Sequence, residues 1–138
     1  MEKVSERVLE IIGKYDLKPI ELPDGHKNVY TYINSVHPER EKEFEPEITD
    51  RFLNKKYGKH IPRGWYGFDV GTPIVPDWMK IIHEITELCV SIDPNFEIHQ
   101  VKLKWGRIDY YASSSVIEDV FDIDFLLNDY LYDAALVY

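Results

Sequence analysis

The sequence predicts an α+β fold, in which a small antiparallel sheet of about four strands in hairpins packs against three to four helices. Residues 76–92 carry a regular helical stripe of apolar side chains, and residues 96–111 alternate as a β-hairpin does. The length of 138 residues and the hydrophobic share of 44% suit one folded unit with its own core. We therefore expect a single domain spanning residues 1–138.

Acidic residues are concentrated towards the C-terminal end. Residues 1–107 hold all 16 lysines and arginines and 18 of the 25 acids, a net charge of −2, whereas residues 108–138 hold seven acids and a net charge of −7. This distribution lacks the basic field that phosphate binding requires, so direct nucleic-acid binding is not expected. It favours a protein partner with a basic surface.

The chain shows no sequence feature of a membrane or secreted protein. No apolar run approaches the roughly 18 residues of a membrane span, and residues 1–15 lack the apolar segment of a signal peptide. The single cysteine, Cys89, has no internal disulfide partner. We expect a cytoplasmic protein that makes no membrane contact.

The first part of the chain predicts a helix, a hairpin and a second helix. Residues 2–15 place apolar side chains at helical spacing. A Pro-Asp-Gly turn indicates a hairpin within residues 20–36. Pro46 suits the first turn of a helix over residues 46–57.

Residues 58–76 form the longest predicted loop, because four glycines and three prolines interrupt regular structure there. Long loops in small domains are often functional, and the aromatic side chains of this one can stack on a base, a peptide or a ring. The alternative is that these aromatics fix the loop onto the core. With two lysines of the following hairpin, the candidate ligand or partner residues are Arg63, Trp65, Tyr66, Phe68, Lys102 and Lys104.

A central helix follows the loop. Its apolar stripe comprises Trp78, Ile81, Ile82, Ile85, Leu88, Cys89 and Ile92. Pro76 and Asp77 suit the first turn, and an Asp-Pro-Asn sequence at residues 93–95 ends the helix. The position of Cys89 in this stripe indicates a core side chain and not a nucleophile.

The hairpin after this helix has a register that the side chains themselves indicate. With Trp105 and Gly106 as the turn, apolar residues lie opposite each other on one face and a charged pair lies on the other. The expected pairs are Leu103 with Ile108, Val101 with Tyr110, and Lys102 with Asp109. A change in the apolar phase predicts a bulge near His99 or Gln100.

The acidic C-terminal segment, residues 114–138, is expected to be helical, although Phe121, Ile123 and Phe125 alternate with acids as a strand would. Successive helical turns place carboxylates about 5 to 6 Å apart, near the spacing of phosphates along a nucleic-acid strand. The alternative is a solvated face that keeps the protein in solution. The candidate partner-binding residues are Glu118, Asp119, Asp122, Asp124, Asp129 and Asp133.

Two partial matches to catalytic motifs fall short. Residues 83–87 begin like the HExxH zinc-protease signature, but Glu87 occupies the place of the second histidine. Asp77 with Lys102 resembles the acid and lysine of a metal-dependent nuclease, but Asp77 opens a helix instead of ending a strand. We expect no catalytic residue, no bound metal and no cofactor, and a metal-dependent nuclease is the enzymatic alternative.

Several distinctive residues lie within the central stretch, residues 76–111. They are Pro76, Trp78, Ile81-Ile82, Leu88-Cys89, Gln100-Val101-Lys102, Lys104-Trp105-Gly106 and Tyr110-Tyr111. In these residues the chain resembles an uncharacterised family of small bacterial and phage proteins, which share a Pro-x-Gly-Trp helix start and a hairpin reading approximately QVKEKFGGLRFY. The resemblance implies an α+β domain encoded by a phage or prophage, and it supplies no catalytic residues.

The leading hypothesis is a non-enzymatic inhibitor, encoded by a phage or another mobile element. It would bind a host protein, such as a nucleic-acid-handling defence enzyme, through the acidic surface. An immunity protein that neutralises a toxin would use the same surface against a different partner. The alternative from another class is a protein that binds or sequesters a small anionic ligand, such as a nucleotide, through the loop residues.

Overall fold

The computed structural model describes residues 2–15, 48–71, 77–104 and 107–134, with Lys104, Arg107 and residues 130–134 described by their backbone alone. In this part of the chain, four α-helices accompany three strands and a short 3₁₀ turn at Gly58–His60. The helices are α1 (Ser5–Gly13), α2 (Asp50–Lys56), α3 (Asp77–Ile92) and α4 (Asp122–Ala134). The strands are β1 (Gly67–Asp69), β2 (Glu97–Lys104) and β3 (Arg107–Ser113).

The sheet is mixed, and its strand order is β1-β2-β3. β2 and β3 form the predicted antiparallel hairpin, but β1 runs parallel to β2, so the prediction of a purely antiparallel sheet is wrong. Parallel neighbours need a crossover connection, and α3 lies in that connection between β1 and β2. β1 falls inside the segment predicted as a loop, because three residues are too few to show an alternating pattern.

Two sequence predictions about other strands have different outcomes. The predicted hairpin within residues 20–36 lies outside the described residues, so about four strands are not confirmed. The register of the β2–β3 hairpin is confirmed at all three predicted pairs, Leu103 with Ile108, Val101 with Tyr110 and Lys102 with Asp109. The predicted bulge is confirmed as a register shift between Ile98 and Gln100. The turn residues Trp105 and Gly106 lie outside the described residues.

The helices predicted from apolar spacing are confirmed within the described residues. α1 lies inside the predicted residues 2–15, and α2 lies inside the predicted residues 46–57, of which Pro46 is not described. α3 buries six of the seven stripe residues, and Ile92 packs against the same core while partly exposed. Cys89 is fully buried, and burial raises the pKa of its thiol to about 12, which agrees with a core side chain.

Side chains from α2 bind the outer edge of β1. Asn54 accepts a hydrogen bond from the Phe68 N–H at 2.8 Å and donates one to the Phe68 carbonyl at 2.9 Å. One helical turn earlier, Asp50 accepts hydrogen bonds from the N–H groups of Val70 at 3.0 Å and Gly71 at 2.7 Å. Backbone groups that face away from β2 are thereby paired.

Side chains from α4 bind the outer edge of β3 in the same way. Asn128 accepts a hydrogen bond from the Ile108 N–H at 2.9 Å and donates one to the Ile108 carbonyl at 2.7 Å. Asp124, one turn earlier, accepts a hydrogen bond from the Tyr110 N–H at 2.8 Å. We call these two asparagine–aspartate arrangements the edge clamps.

The start of α1 is held by the turn that precedes α4. The Asp119 carboxylate accepts hydrogen bonds from the Val4 N–H at 2.8 Å, from the Ser5 N–H at 3.0 Å and from the Ser5 hydroxyl at 2.6 Å. Burial alone would raise the pKa of Asp119, but the hydrogen bonds from Ser5 and Val4 hold it below its ordinary value. Asp119 therefore supplies the N-terminal cap that the sequence of α1 lacks.

Candidate functional site

The acidic C-terminal segment is helical from Asp122, so the helix prediction is confirmed there and the strand alternative is wrong. Glu118 to Phe121 form turns that lead into the helix. Ile123 and Leu127 are fully buried and fix one side of α4 against the core. The opposite side of the helix is the one available to a partner.

The structure divides the six predicted acidic residues into different roles. The carboxylates of Asp119 and Asp124 accept hydrogen bonds from the backbone of α1 and β3, and so they stabilise the fold. Glu118, Asp122 and Asp129 are exposed, and their carboxylates make no hydrogen bond or ion pair with the described residues. Asp133 lies outside the described side chains.

Two phenylalanines lie among the three exposed acids. The Phe121 side chain is 73% exposed and the Phe125 side chain is 62% exposed. Asp122, Phe125 and Asp129 follow one another at i, i+3 and i+7, which places them along one side of α4. We call this combination of two exposed aromatic rings and three carboxylates the α4 surface. It consists of Glu118, Phe121, Asp122, Phe125 and Asp129.

The exposed phenylalanines were predicted only as ambiguous strand residues. The sequence carries part of the signal, because Ile123 and Leu127 form an i, i+4 pair that is offset from Phe121 and Phe125. A helix can turn only one of these two pairs towards the core. The sequence pattern alone does not decide which pair that is.

Trp65 and Tyr66 of the predicted loop are held against the sheet. The Trp65 ring stacks on the His99 ring with centroids 4.6 Å apart and an angle of 18° between the planes. The Tyr66 N–H donates a hydrogen bond to the His99 carbonyl at 3.1 Å. Trp65 and Tyr66 remain 51% and 72% exposed, so they can still contact a partner or ligand.

The other predicted loop residues do not all join Trp65 and Tyr66. Phe68 is buried in the core, as the alternative for this loop proposed, whereas Arg63 is exposed. Lys102 lies between Asp69 and Asp109 in the strand register, and its Nζ atom is 5.9 Å from the centroid of the half-exposed Tyr111 ring. Opposite charges beside Lys102 weaken its attraction for an anion. Lys104 lies outside the described side chains.

The residues of the two catalytic motifs take part in ordinary polar contacts. His83 Nε2 lies 3.3 Å from Lys56 Nζ and 3.7 Å from the Glu87 carboxylate. Burial, and then the charge of Lys56, lower the pKa of His83, which favours the neutral imidazole. Asp77, at the start of α3, lies 3.9 Å from Lys80.

A metal site and a membrane-spanning helix are both absent from the described residues. Among the described residues, no three His, Cys, Asp or Glu side chains are grouped to hold a metal ion. No described helix has the length and the apolar character needed to span a membrane. The expectation that the chain has no catalytic site stays a prediction.

Sequence reasoning missed the asparagines of the edge clamps. Asn54 and Asn128 each follow an aspartate by four residues, in the patterns Asp50-x-x-x-Asn54 and Asp124-x-x-x-Asn128. This spacing places both polar side chains on one side of a helix that is otherwise apolar towards the core. A polar pair on the inner side of an amphipathic helix is the signal that would have identified them.

No protein-family model, curated protein or solved structure matches this chain. The resemblance of residues 76–111 to a family of bacterial and phage proteins therefore stays a prediction that rests on those residues.

Proposed function

We propose that this protein is a non-enzymatic inhibitor that binds a basic protein through the α4 surface. The observation that carries the proposal is the exposure of Phe121 and Phe125, at 73% and 62%, among three carboxylates that make no hydrogen bond or ion pair with the described residues. Exposed apolar side chains that cluster inside a charged rim are typical of protein-binding sites.

The two aromatic rings would supply the binding energy. Burial of a phenylalanine side chain contributes about 1.5–3 kcal/mol, and most of this gain is unrealised at both rings in the described structure. The described core does not need these two rings, since Ile123 and Leu127 already fill the inner side of α4. A complementary apolar cleft on a partner would bury both rings.

The three carboxylates would select the partner. Glu118, Asp122 and Asp129 repel acidic surfaces and attract basic ones, which affects the association rate and the choice of partner more than the final affinity. Phosphate-binding grooves combine basic side chains with apolar walls, so a nucleic-acid-handling protein is the class of partner that fits this surface.

The origin of the protein and the identity of its target extend this proposal. A phage or mobile-element inhibitor of a host defence protein is the form that the resemblance of residues 76–111 favours. An immunity protein would present the same α4 surface to a toxin. The two forms differ in the protein bound and not in the chemistry of the contact.

The proposal is tested with a tagged protein in host lysate and with matched variants. The acidic variant combines Glu118→Gln, Asp122→Asn and Asp129→Asn. Its control removes the same number of charges from exposed sites elsewhere, at Glu6→Gln, Glu10→Gln and Asp69→Asn. A third variant carries Phe121→Ser and Phe125→Ser.

The expected results separate charge from apolar contact. The acidic variant should bind the captured protein about tenfold more weakly, with a smaller dependence of Kd on salt, while the control variant binds as the wild type does. The phenylalanine variant should lose affinity and keep the salt dependence. The captured protein should lose its own nucleic-acid activity on binding. Equal binding by all four proteins would refute the proposal.

A further inference from the structure

His83 of α3 lies against α2 and against Tyr57, the residue that follows α2. Its side chain is only 17% exposed. The Phe52 ring meets the imidazole edge to face with centroids 5.6 Å apart, and the Tyr57 ring centroid lies 5.9 Å from that of the imidazole. The imidazole is therefore part of the contact between the two helices.

The polar contact of His83 fixes the tautomer of its ring. Lys56 Nζ lies 3.3 Å from His83 Nε2, and an ammonium group can only donate a hydrogen bond. Nε2 therefore accepts this bond, and the neutral ring carries its proton on Nδ1. The hydrogen bond links α2 to α3 only while the imidazole is neutral.

Charged and titratable groups from both helices face the imidazole. Lys56 of α2 is the nearest positive charge, and the Glu87 carboxylate of α3 lies 3.7 Å from Nε2. Glu84 of α3 is a second negative charge near the ring, and two side chains that follow α1 already bind its carboxylate. The Tyr57 phenol is neutral, because burial, and then the charge of Glu87, raise its pKa above the ordinary value.

These surroundings disfavour the protonated ring. Burial, and then the charge of Lys56, lower the pKa of His83 below its ordinary value of 6.5, and the two glutamates oppose this shift. A histidine whose pKa is lowered in the folded protein contributes stability that is present above that ordinary value. This contribution is lost as the pH falls from there through the folded pKa.

Protonation of His83 changes the contact in two ways. A protonated Nε2 cannot accept the hydrogen bond from Lys56, and it places two positive charges 3.3 Å apart. An imidazolium also requires water or an anion around it, but the Phe52 and Tyr57 rings lie against the imidazole. Both effects are relieved when α2 moves away from α3.

The helix that would move also holds the outer edge of β1. Asn54 of α2 pairs with the N–H and carbonyl of Phe68. Asp50 of α2 accepts a hydrogen bond from the Val70 N–H. A shift of α2 therefore weakens the edge clamp on β1, whereas the clamp on β3 is made by α4 at the opposite edge of the sheet.

We propose that His83 is an acid-sensitive joint between α2 and α3, and that its protonation loosens α2 and uncovers the outer edge of β1. An uncovered edge offers backbone N–H and carbonyl groups with which an extended peptide can pair. The inference goes beyond the proposed function, because none of these residues belongs to the α4 surface.

The two edge clamps provide an internal comparison for the test. Amide hydrogen exchange is measured at about pH 7.5 and about pH 5.5, a range in which histidine titrates, and each rate is corrected for the intrinsic effect of pH. The protection of the Phe68 and Val70 N–H groups should fall about three- to tenfold at the lower pH, the equivalent of one hydrogen bond. The protection of the Ile108 and Tyr110 N–H groups should stay constant. Each clamp contains one aspartate, so an equal fall at both edges would overturn the proposal.

Two histidine variants identify the group that titrates. Glutamine can accept the hydrogen bond from Lys56 at every pH, so His83→Gln should remove the pH dependence at Phe68 and Val70. His99→Gln changes a histidine of β2 that stacks on Trp65, and it should leave the pH dependence in place. A pH dependence that persists in His83→Gln would refute the proposal.

Titration of the His83 ring by NMR tests the contact itself. Lys56→Gln removes the nearest positive charge and should raise the pKa of His83, whereas Glu87→Gln should lower it. Lys55→Gln, at an exposed site on α2, is the control and should leave the pKa unchanged. If Lys56→Gln did not raise the pKa, Lys56 would not act on the imidazole and the joint would be wrong. Neither measurement involves the α4 surface or a partner protein.

Discussion

The two outer edges of the sheet are bound by the same chemistry from opposite halves of the chain. At β1, Asn54 pairs with the N–H and carbonyl of Phe68, and at β3, Asn128 pairs with those of Ile108. A side-chain amide has one acceptor and two donors, so it can replace the peptide group of a neighbouring strand. In each case the aspartate four residues earlier binds the N–H two residues further along the strand.

The spacing of both clamps follows from helix and strand geometry. Four residues of an α-helix advance about 6 Å, and two residues of a strand advance about 6.6 Å. Side chains at i and i+4 on a helix therefore match alternate residues of a strand that runs in the opposite direction. Both α2 and α4 have this antiparallel orientation to the strand they bind.

The two edges differ in the closeness of the contact between strand and helix, and in what lies on the other side of the helix. On β1 the fit is tight, because a Cβ atom added to Gly67 would lie 2.5 Å from Asn54 Oδ1. On β3 the clamp helix, α4, also presents Phe125 and two exposed acids outward. One helix thus combines a structural side and a candidate binding side, and acidic residues two positions apart, Asp122 and Asp124, have different roles.

Replacement of the clamp asparagines should have the largest effect on stability. Asn54→Leu or Asn128→Leu leaves one N–H and one carbonyl of an outer strand unpaired, and we expect a loss of about 2–4 kcal/mol in each case. Urea unfolding measures this change. Asn95→Leu, at an exposed turn residue, is the control and should change the free energy of unfolding by less than about 0.5 kcal/mol. If all three variants were equally stable, the clamps would contribute nothing.

Gly67→Ala should have the next largest effect, and it tests whether the close contact between β1 and α2 limits the space at this edge. The new methyl group meets Asn54 Oδ1 and Ile61 Cδ1, and the φ angle of +67° strains any residue with a side chain. We expect a loss of about 2–3 kcal/mol in thermal or urea unfolding. Gly64→Ala has a φ angle of +93° but open space around it, so it should cost only about 1 kcal/mol. Equal losses would mean that contact with Asn54 is unimportant.

The comparison of Asp124 with Asp122 tests the two sides of α4. Asp124→Ala removes the acceptor of the Tyr110 N–H and should cost about 1–2 kcal/mol, whereas Asp122→Ala should change stability by less than about 0.5 kcal/mol. Partner affinity, measured on the folded proteins, should show the reverse order. An equal effect of both substitutions on stability would contradict the assignment of different roles.

Asp119 should produce a smaller effect that depends on pH. Its carboxylate pKa in the folded protein lies below the ordinary value of 3.8, so its contribution is present above that pH and is lost as the pH falls through the folded pKa. Asp119→Asn should cost about 1 kcal/mol near neutral pH. Urea unfolding at several pH values should show this difference shrinking below about pH 4. A difference that stays constant at all pH values would refute the ionic role.

The sequence was sufficient for elements that bury a regular apolar pattern. The stripe of α3 and the cross-strand pairs of the hairpin depend on residues close together in the chain, and both are confirmed. β1 could not be predicted, because a strand of three residues has no measurable alternation and is defined by its pairing with β2, about 30 residues away.

The candidate site was predicted only in outline. The acidic character of the C-terminal segment was visible, but the sequence does not show which carboxylates face the protein. Asp119 and Asp124 meet backbone donors 115 and 14 residues away, and such contacts are set by tertiary packing. Asn54 and Asn128 were missed for the same reason, since their partners are chosen by the position of a strand edge.

The clamps also have a consequence for how the protein behaves in a crowded cell. At Phe68 and Ile108 the outward N–H and carbonyl groups are already occupied, so the outer strands offer a poorer template on which another chain can add a strand. Loss of either asparagine would leave an N–H and a carbonyl of an outer strand available to pair with another chain. The clamp variants are therefore expected to aggregate even under conditions where they remain folded.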